Sequence, residues 1–205
     1  MIHIVGIGPG DGALQLKVID DLARKCDLIL GSSRQLETIE IDELEKKRVI
    51  DFPFKEIVPF LLKQESMGQS VMYLASGDPM IYGIGNYLSK HLPEGSFEIY
   101  PGISSLQYIF SRIPMSMNDC FLSSAHGRQP NYDFLVRMPK LVMVTDEANG
   151  PYEIAQELLT RGAKGTMFVG EALSYPEEQL CSYSLDMVPD RDYDMNVVVV
   201  LNERS

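Results

Sequence analysis

The chain alternates short apolar runs with amphipathic stretches from its first residues. Ile2, Ile4, Val5 and Ile7 predict a strand that runs into a glycine loop, Gly6-Ile7-Gly8-Pro9-Gly10-Asp11-Gly12. Leu14, Val18, Ile19, Leu22, Ala23 and Cys26 then recur at the spacing of a helix with one buried face. Residues 27–30 predict a second strand, closed by Gly31-Ser32-Ser33, whose hydroxyls can cap a helix beginning near Arg34. A weaker strand is expected over 49–52, and Ile57, Phe60, Leu61 and Leu62 predict a helix entered through Pro59. Residues 70–75 form an apolar run that delivers Ser76-Gly77-Asp78-Pro79; a helix is expected over 81–91 and a strand over 97–100, ending in Pro101-Gly102-Ile103-Ser104-Ser105. Strand, loop and helix repeated in this way predict a mostly parallel sheet.

Around residues 112–118 Pro114 and alternating Met and Ser interrupt both periods. The break predicts two α/β lobes, residues 1–112 and 113–205. Beyond it, strands are expected at 120–122, 141–144, 166–169, 179–184 and 196–201, with a helix over 154–159. Little helix separates the last two strands, so the second lobe is expected to mix in antiparallel pairs.

Composition narrows what these lobes do. The 205 residues carry 18 basic and 29 acidic side chains, a formal charge of −11. The excess is spread evenly, with ten basic and fifteen acidic residues over 1–110 and eight and fourteen over the rest. A general binder of nucleic acid or of a membrane surface would want a basic face, so both are disfavoured. No apolar run exceeds residues 197–201, far short of a membrane span. No secretion leader precedes the first strand, and Cys26, Cys120 and Cys181 are odd in number and far apart. A cytoplasmic protein with reduced thiols is expected. His3, His91 and His126 are scattered, and no metal site is expected.

The loops carry the candidate chemistry, because open α/β sheets bind ligands at the carboxyl ends of their strands. Gly8-Pro9-Gly10-Asp11-Gly12-Ala13 fits the spacing of a dinucleotide loop. However, Gly31, Ser32 and Ser33 stand where an acidic ribose ligand belongs, and Pro9 removes a backbone N–H from a phosphate cradle. No Walker motif is present. Singly, Ser76-Gly77-Asp78-Pro79 and Pro101-Gly102-Ile103-Ser104-Ser105 could be ordinary turns and caps.

Taken in order, Gly6-Ile7-Gly8-Pro9-Gly10-Asp11, Ser76-Gly77-Asp78-Pro79 and Pro101-Gly102-Ile103-Ser104-Ser105 resemble the tetrapyrrole (corrin/porphyrin) methylase family. The resemblance covers the whole chain. It implies two α/β lobes with an active-site cleft between them, and S-adenosyl-L-methionine as methyl donor, leaving S-adenosyl-L-homocysteine. Three further runs resemble the corrin branch: residues 77–85, Ser124-Ala125-His126-Gly127-Arg128, and residues 170–178. The uroporphyrinogen branch has arginine-glycine-glycine-glutamate after its Gly-Asp-Pro, where this chain has Ile84-Gly85-Asn86. The activity implied is methylation at C-5 of a cobalt-corrin intermediate of cobalamin biosynthesis. Rivals within the class are another precorrin position, uroporphyrinogen III, and the diphthine and ribosomal RNA branches. A non-catalytic nucleotide-binding or regulatory module is the rival outside it.

By resemblance the donor contacts Gly77, Asp78, Ile81, Ser104, Ser105, Ser124, Ala125, the main chain near Met143, Ala172 and Leu173. Gly8, Pro9, Gly10 and Asp11 line the tetrapyrrole side. The corrinoid substrate is a polycarboxylate and calls for a local basic rim; Arg34, Arg128 and the run Lys46-Lys47-Arg48 are candidates, the last also reading as a solvated helix end. Methyl transfer from a sulfonium needs positioning more than a nucleophile. Asp11, Tyr82 and His126 are the candidates for a catalytic group; His126 is also a candidate for binding the substrate, and for it a hydrogen bond or proton relay near the substrate competes with simple loop packing. A homodimer, and pairing with a separate C-15 methylase and decarboxylase, are further expectations of the resemblance.

Overall fold

The computed structural model describes residues 1–203 and divides into two compact units, Met1–Ser104 and a second that starts at Ser105. In chain order the first holds β1 (Ile2–Gly6), α1 (Val18–Lys25), β2 (Leu28–Gly31), α2 (Ser33–Glu37), β3 (Lys47–Val49), α3 (Ile57–Ser66), β4 (Val71–Ala75), α4 (Gly85–His91) and β5 (Phe97–Tyr100). Its sheet has the order β3-β2-β4-β1-β5, and every neighbouring pair is parallel. Such sheets need both faces covered, and the strand sequences show it. Val5, Ile29, Met72 and Leu74 pack with Ile19, Leu22, Ala23 and Leu36 from α1 and α2. The alternate positions Ile2, Ile4, Leu30, Val71 and Tyr73 pack with Ile57, Leu61 and Leu88 from α3 and α4. β4 is therefore buried along its whole length.

Local chemistry moves three boundaries. The helix expected from Leu14 begins at Val18, because the Asp11 carboxylate caps a separate 3-10 turn at Gly12–Leu14 by accepting the Ala13 N–H. β3 forms at Lys47–Val49, ahead of the expected 49–52. α4 starts at Gly85 instead of residue 81. The chain first makes a tight reversal, in which the Gly85 N–H donates to the Pro79 carbonyl (2.9 Å) and Tyr82 takes a left-handed φ of 52°.

The second unit holds α5 (Ser105–Arg112), β6 (Phe121–Ser124), α6 (Tyr132–Leu135), β7 (Lys140–Val144), α7 (Pro151–Leu159), β8 (Gly165–Glu171), β9 (Gln179–Ser184) and β10 (Asn196–Asn202). The strand order is β6-β7-β10-β8-β9, with β6 and β7 parallel and the other pairs antiparallel. The expected admixture of antiparallel strands is present. α5 packs against β7 and β10, so the chain divides ahead of that helix, whereas the sequence break at 112–118 follows it. One core joins Leu141, Met143, Met167, Val169, Val198 and Val200 to Ile154, Ala155 and Leu158 of α7.

Candidate functional site

In the first unit three loops leave the same sheet edge, because β1, β4 and β5 run in parallel with Gly6 level with Ala75 and Val5 level with Tyr100. Gly8 and Gly77 then exchange backbone hydrogen bonds, Gly77 N–H to Gly8 carbonyl at 2.8 Å and the reverse at 3.3 Å. A Cβ on Gly102 would lie 2.1 Å from the Gly77 carbonyl oxygen, and one on Gly6 would meet both Gly102 and Gly77 at 2.7 Å. The three backbones thus touch where side chains would ordinarily keep them apart. Asp78 ties them: Oδ1 accepts from the Met80 N–H (2.7 Å) and Oδ2 from the Gly102 N–H (3.2 Å).

Around this junction Gly8, Pro9 and Gly10 are buried and Asp11 is exposed, its carboxylate on the Ala13 N–H at 2.9 Å. Ile81 is half-buried, Tyr82 exposed and Ser104 buried. Arg34 is exposed on α2. Its neighbour Gln35 closes a capping box with Ser32 and donates from Nε2 to the Ser76 hydroxyl at 3.0 Å, tying the end of β2 to the second loop. The basic run has structural work of its own. Lys46 Nζ donates to the Arg24 carbonyl (2.9 Å), Lys47 Nζ to the Ile39 carbonyl (2.5 Å), and the Arg48 guanidinium lies 4.8 Å from the Phe60 ring centroid.

The second unit gathers a matching row. Ser124 pairs with Val144, and Val144 and Gly170 both stand opposite Val197, so the loops after β6, β7 and β8 leave one edge. Ser124 and Ala125 are buried, Met143 is wholly buried in its strand, and His126 and Arg128 are exposed. Arg128 Nε donates to the Ser124 carbonyl at 2.9 Å. After β8 the chain turns sharply, with Ala172 at φ 46° and Ser174 at φ 68°, both in the left-handed region that costs an alanine about 1 kcal/mol. The buried Leu173 lies between them, over Gly170, where an added Cβ would meet its Cδ2 at 2.8 Å. Ser105 is the first residue of α5.

Three carboxylates that hold this edge were not singled out as site residues from the sequence, although Glu171 and Glu178 lie in the run 170–178 that carries the resemblance. Asp146 accepts from the Gly127 N–H (2.7 Å) through Oδ2, and from the Asn149 N–H (2.8 Å) and amide (3.0 Å) through Oδ1. The Gly127 bond, outweighing a smaller effect of burial, holds its carboxyl below the usual carboxylate range. Glu171, 4% exposed, takes a bidentate pair of bonds from Arg191 at 2.5 and 3.0 Å and a third from the Asp194 N–H at 3.0 Å. Glu178 accepts from the Ser174 N–H (2.7 Å) and from Arg112 Nε (2.5 Å). Burial pushes the Glu178 carboxyl up, but those bonds and one from Tyr108 together leave it below its ordinary value. For Asp146, an acid two residues beyond an apolar run, that placement was the one signal available.

All five buried polar or charged side chains among the described residues, Ser104, Ser123, Ser124, Thr145 and Glu171, lie at or just past strand ends on these edges. Each unit, taken by itself, sets hydroxyls, main-chain groups and an apolar side chain at its strand edge, Ile81 in the first and Leu173 in the second, a lining that suits a ligand with polar ends and an apolar or aromatic body.

A parallel α/β unit followed by a mixed one, each lined at one edge with ligand-type loops, defines a small-molecule enzyme of two α/β domains. The family model of the Tetrapyrrole (Corrin/Porphyrin) Methylases matches residues 1–188, and the chain belongs to that family of methyltransferases. It is 34% identical over 206 residues, the full length of both chains, to the cobalt-precorrin-7 C(5)-methyltransferase of Salmonella typhimurium. The fold is similar to that of the cobalamin-biosynthesis precorrin-6Y methylase of Archaeoglobus fulgidus, with a TM-score of 0.79 at 22% identity, covering 100% of this chain and 99% of that one. It is also similar to the uroporphyrin-III C-methyltransferase of Thermus thermophilus crystallised with S-adenosylhomocysteine, with a TM-score of 0.78 at 22% identity, covering 97% and 96%. No helix among the described residues is long and apolar enough to cross a membrane.

Proposed function

We propose that this chain methylates C-5 of cobalt-precorrin-7 in cobalamin biosynthesis, using S-adenosylmethionine. The observation that carries the reading is the full-length 34% identity to the Salmonella enzyme, which takes in all the strand-end loops described above. When bound, the donor supplies an already activated methyl group, so the protein's task is to position two reactants and keep water out.

Within the first unit, main chain at Gly77, the half-buried Ile81 and the buried Ser104 are assigned to the donor, with Asp78 holding the loops that present them. In the second, Ser105, the Ser124 hydroxyl, Ala125, the backbone near Met143, Ala172 and Leu173 are assigned to it. Gly8, Pro9, Gly10 and Asp11 are assigned to the corrinoid, and Arg34 and Arg128 to its carboxylates. Arg34 is exposed on α2 and Arg128 is exposed in the loop after β6, which supports both for the rim. The enzyme is proposed to work as a cytoplasmic homodimer alongside a separate C-15 methylase and decarboxylase; three free cysteines suit a reducing compartment.

Calorimetric titration with S-adenosylhomocysteine, with NADH as control, tests the donor assignment. Saturable binding of about one per chain, with NADH silent, is expected. Incubation with cobalt-precorrin-7 and the donor, followed by mass spectrometry, should then show the gain of one methyl group. An unchanged corrinoid, with sirohaem precursors methylated instead, would move the assignment to another branch.

A further inference from the structure

The loop after β6 has four consecutive backbone N–H groups occupied. The N–H of Ala125 donates to the Val144 carbonyl (2.8 Å), that of His126 to the Ser124 hydroxyl (3.2 Å), that of Gly127 to Asp146 Oδ2 (2.7 Å), and that of Arg128 to the Ala125 carbonyl (3.3 Å). The Ala125 carbonyl also takes a bond from Asn149 Nδ2 at 3.4 Å. Four consecutive N–H groups held within the unit have nothing left to offer a ligand. The imidazole they carry does.

His126 is exposed, and its Nδ1 lies 3.3 Å from the Thr145 carbonyl. A carbonyl only accepts, so the neutral ring holds its hydrogen on Nδ1 and its lone pair on Nε2. Thr145 is itself fixed: it is buried, and its hydroxyl bonds the Asn196 carbonyl at 2.8 Å. The adjoining Asp146 holds its carboxylate on the N–H of Gly127, the residue next to His126, at 2.7 Å. An imidazole oriented through Nδ1, with its other nitrogen left as an acceptor, is the arrangement of a general base.

We propose that Nε2 of His126 is the proton acceptor for methyl transfer, with Thr145 and Asp146 as positioning residues. The inference rests on the proposed function and deepens it. C-methylation of a conjugated ring carbon forms the new C–C bond as the S–CH3 bond breaks, the sulfur keeping its electron pair. The ring then carries the positive charge until the C–H bond at that carbon returns its pair to the conjugated system. The proton released goes to Nε2, and from the exposed imidazolium to water. The rival Asp11 carboxylate already holds the Ala13 N–H in the first unit.

Two substitutions separate this role from loop packing. In His126→Asn the amide can replace Nδ1 on Thr145 but places nothing at Nε2; in His126→Gln the amide reaches the Nε2 position and loses the Thr145 bond. Neither takes a proton. Nitrogen NMR of the donor-free protein is expected to show the Nδ1–H tautomer. Both variants should bind S-adenosylhomocysteine within about twofold of wild type and lose about 100-fold or more in single-turnover methyl transfer, the scale of general-base catalysis. An Nε2–H tautomer, or an Asn variant with turnover within a few-fold of wild type, overturns the proposal and leaves His126 a packing residue. Wild-type protein that neither binds S-adenosylhomocysteine nor methylates the corrinoid overturns the functional reading, and the base with it.

Discussion

Asp78 and Gly102 stand 24 residues apart and are joined by a 3.2 Å hydrogen bond from the Gly102 N–H to the Asp78 carboxylate. The other carboxylate oxygen holds the Met80 N–H, so one side chain sets both the turn of its own loop and the distance to the next. In the proposed donor site Asp78 would therefore act through the main chain it arranges. Hydrogen bonds to a charged group contribute about 1.5–3 kcal/mol each. Asp78→Ala is expected to weaken S-adenosylhomocysteine binding by about tenfold or more in calorimetry, while circular dichroism still reports a folded protein. Donor affinity equal to wild type would remove the second loop from the donor site.

Gly102 has no room for a methyl group, since its Cβ would sit 2.1 Å from the Gly77 carbonyl oxygen, on rigid backbone. Gly102→Ala should destabilise the protein by about 2–3 kcal/mol in urea unfolding, in the range of overpacked cores, and abolish donor binding. Gly12→Ala is the control: its nearest neighbour would be the Thr38 carbonyl at 3.6 Å, and it should behave as wild type.

Removing Arg191 leaves the Glu171 carboxylate buried with only the Asp194 N–H for company. Losing one partner of such a pair costs about 3–5 kcal/mol when both are buried. The half-exposed guanidinium puts the expected loss for Arg191→Ala near the low end, about 3 kcal/mol. Glu171→Gln in the same background should recover part of it. A loss under about 0.5 kcal/mol, measured by urea titration, would show the pair to be ornamental.

Asp146 gives the second unit an acid-sensitive joint. Its folded pKa is depressed below the ordinary 3.8, chiefly by the Gly127 N–H, so its contribution is complete above that value and fades as pH falls through the lower, folded one. Wild type should therefore exceed Asp146→Asn in stability at pH 7, and the gap should narrow as the pH drops below about 4. Urea midpoints across that range check the sign. A gap that widens with acid would contradict it.

Ala172 adopts φ 46°, where an L side chain is strained by about 1 kcal/mol. Ala172→Gly should relieve that strain and raise the urea midpoint slightly, offset in part by the greater freedom of glycine in the unfolded chain. A clear drop would mean that the alanine methyl makes contacts worth more than the strain.

Sequence alone determined the alternation of strands and helices, the parallel first sheet, the mixed second one and the loops that carry the family's motifs. Those features are local: period-two and helical apolar patterns, turn residues and ordered glycine motifs are written in neighbouring positions. The helix expected from residue 81 began at Gly85 because the Pro79 carbonyl captured its N–H, a contact the hydrophobic period does not contain. Only the tertiary structure decided that Asp78 faces Gly102, that Gln35 reaches Ser76, and that Asp146 and Thr145 steady the His126 loop. Register between strands distant in sequence brings those groups together. A polar side chain's role depends on which backbone N–H lies opposite it, and no spacing along one segment specifies that.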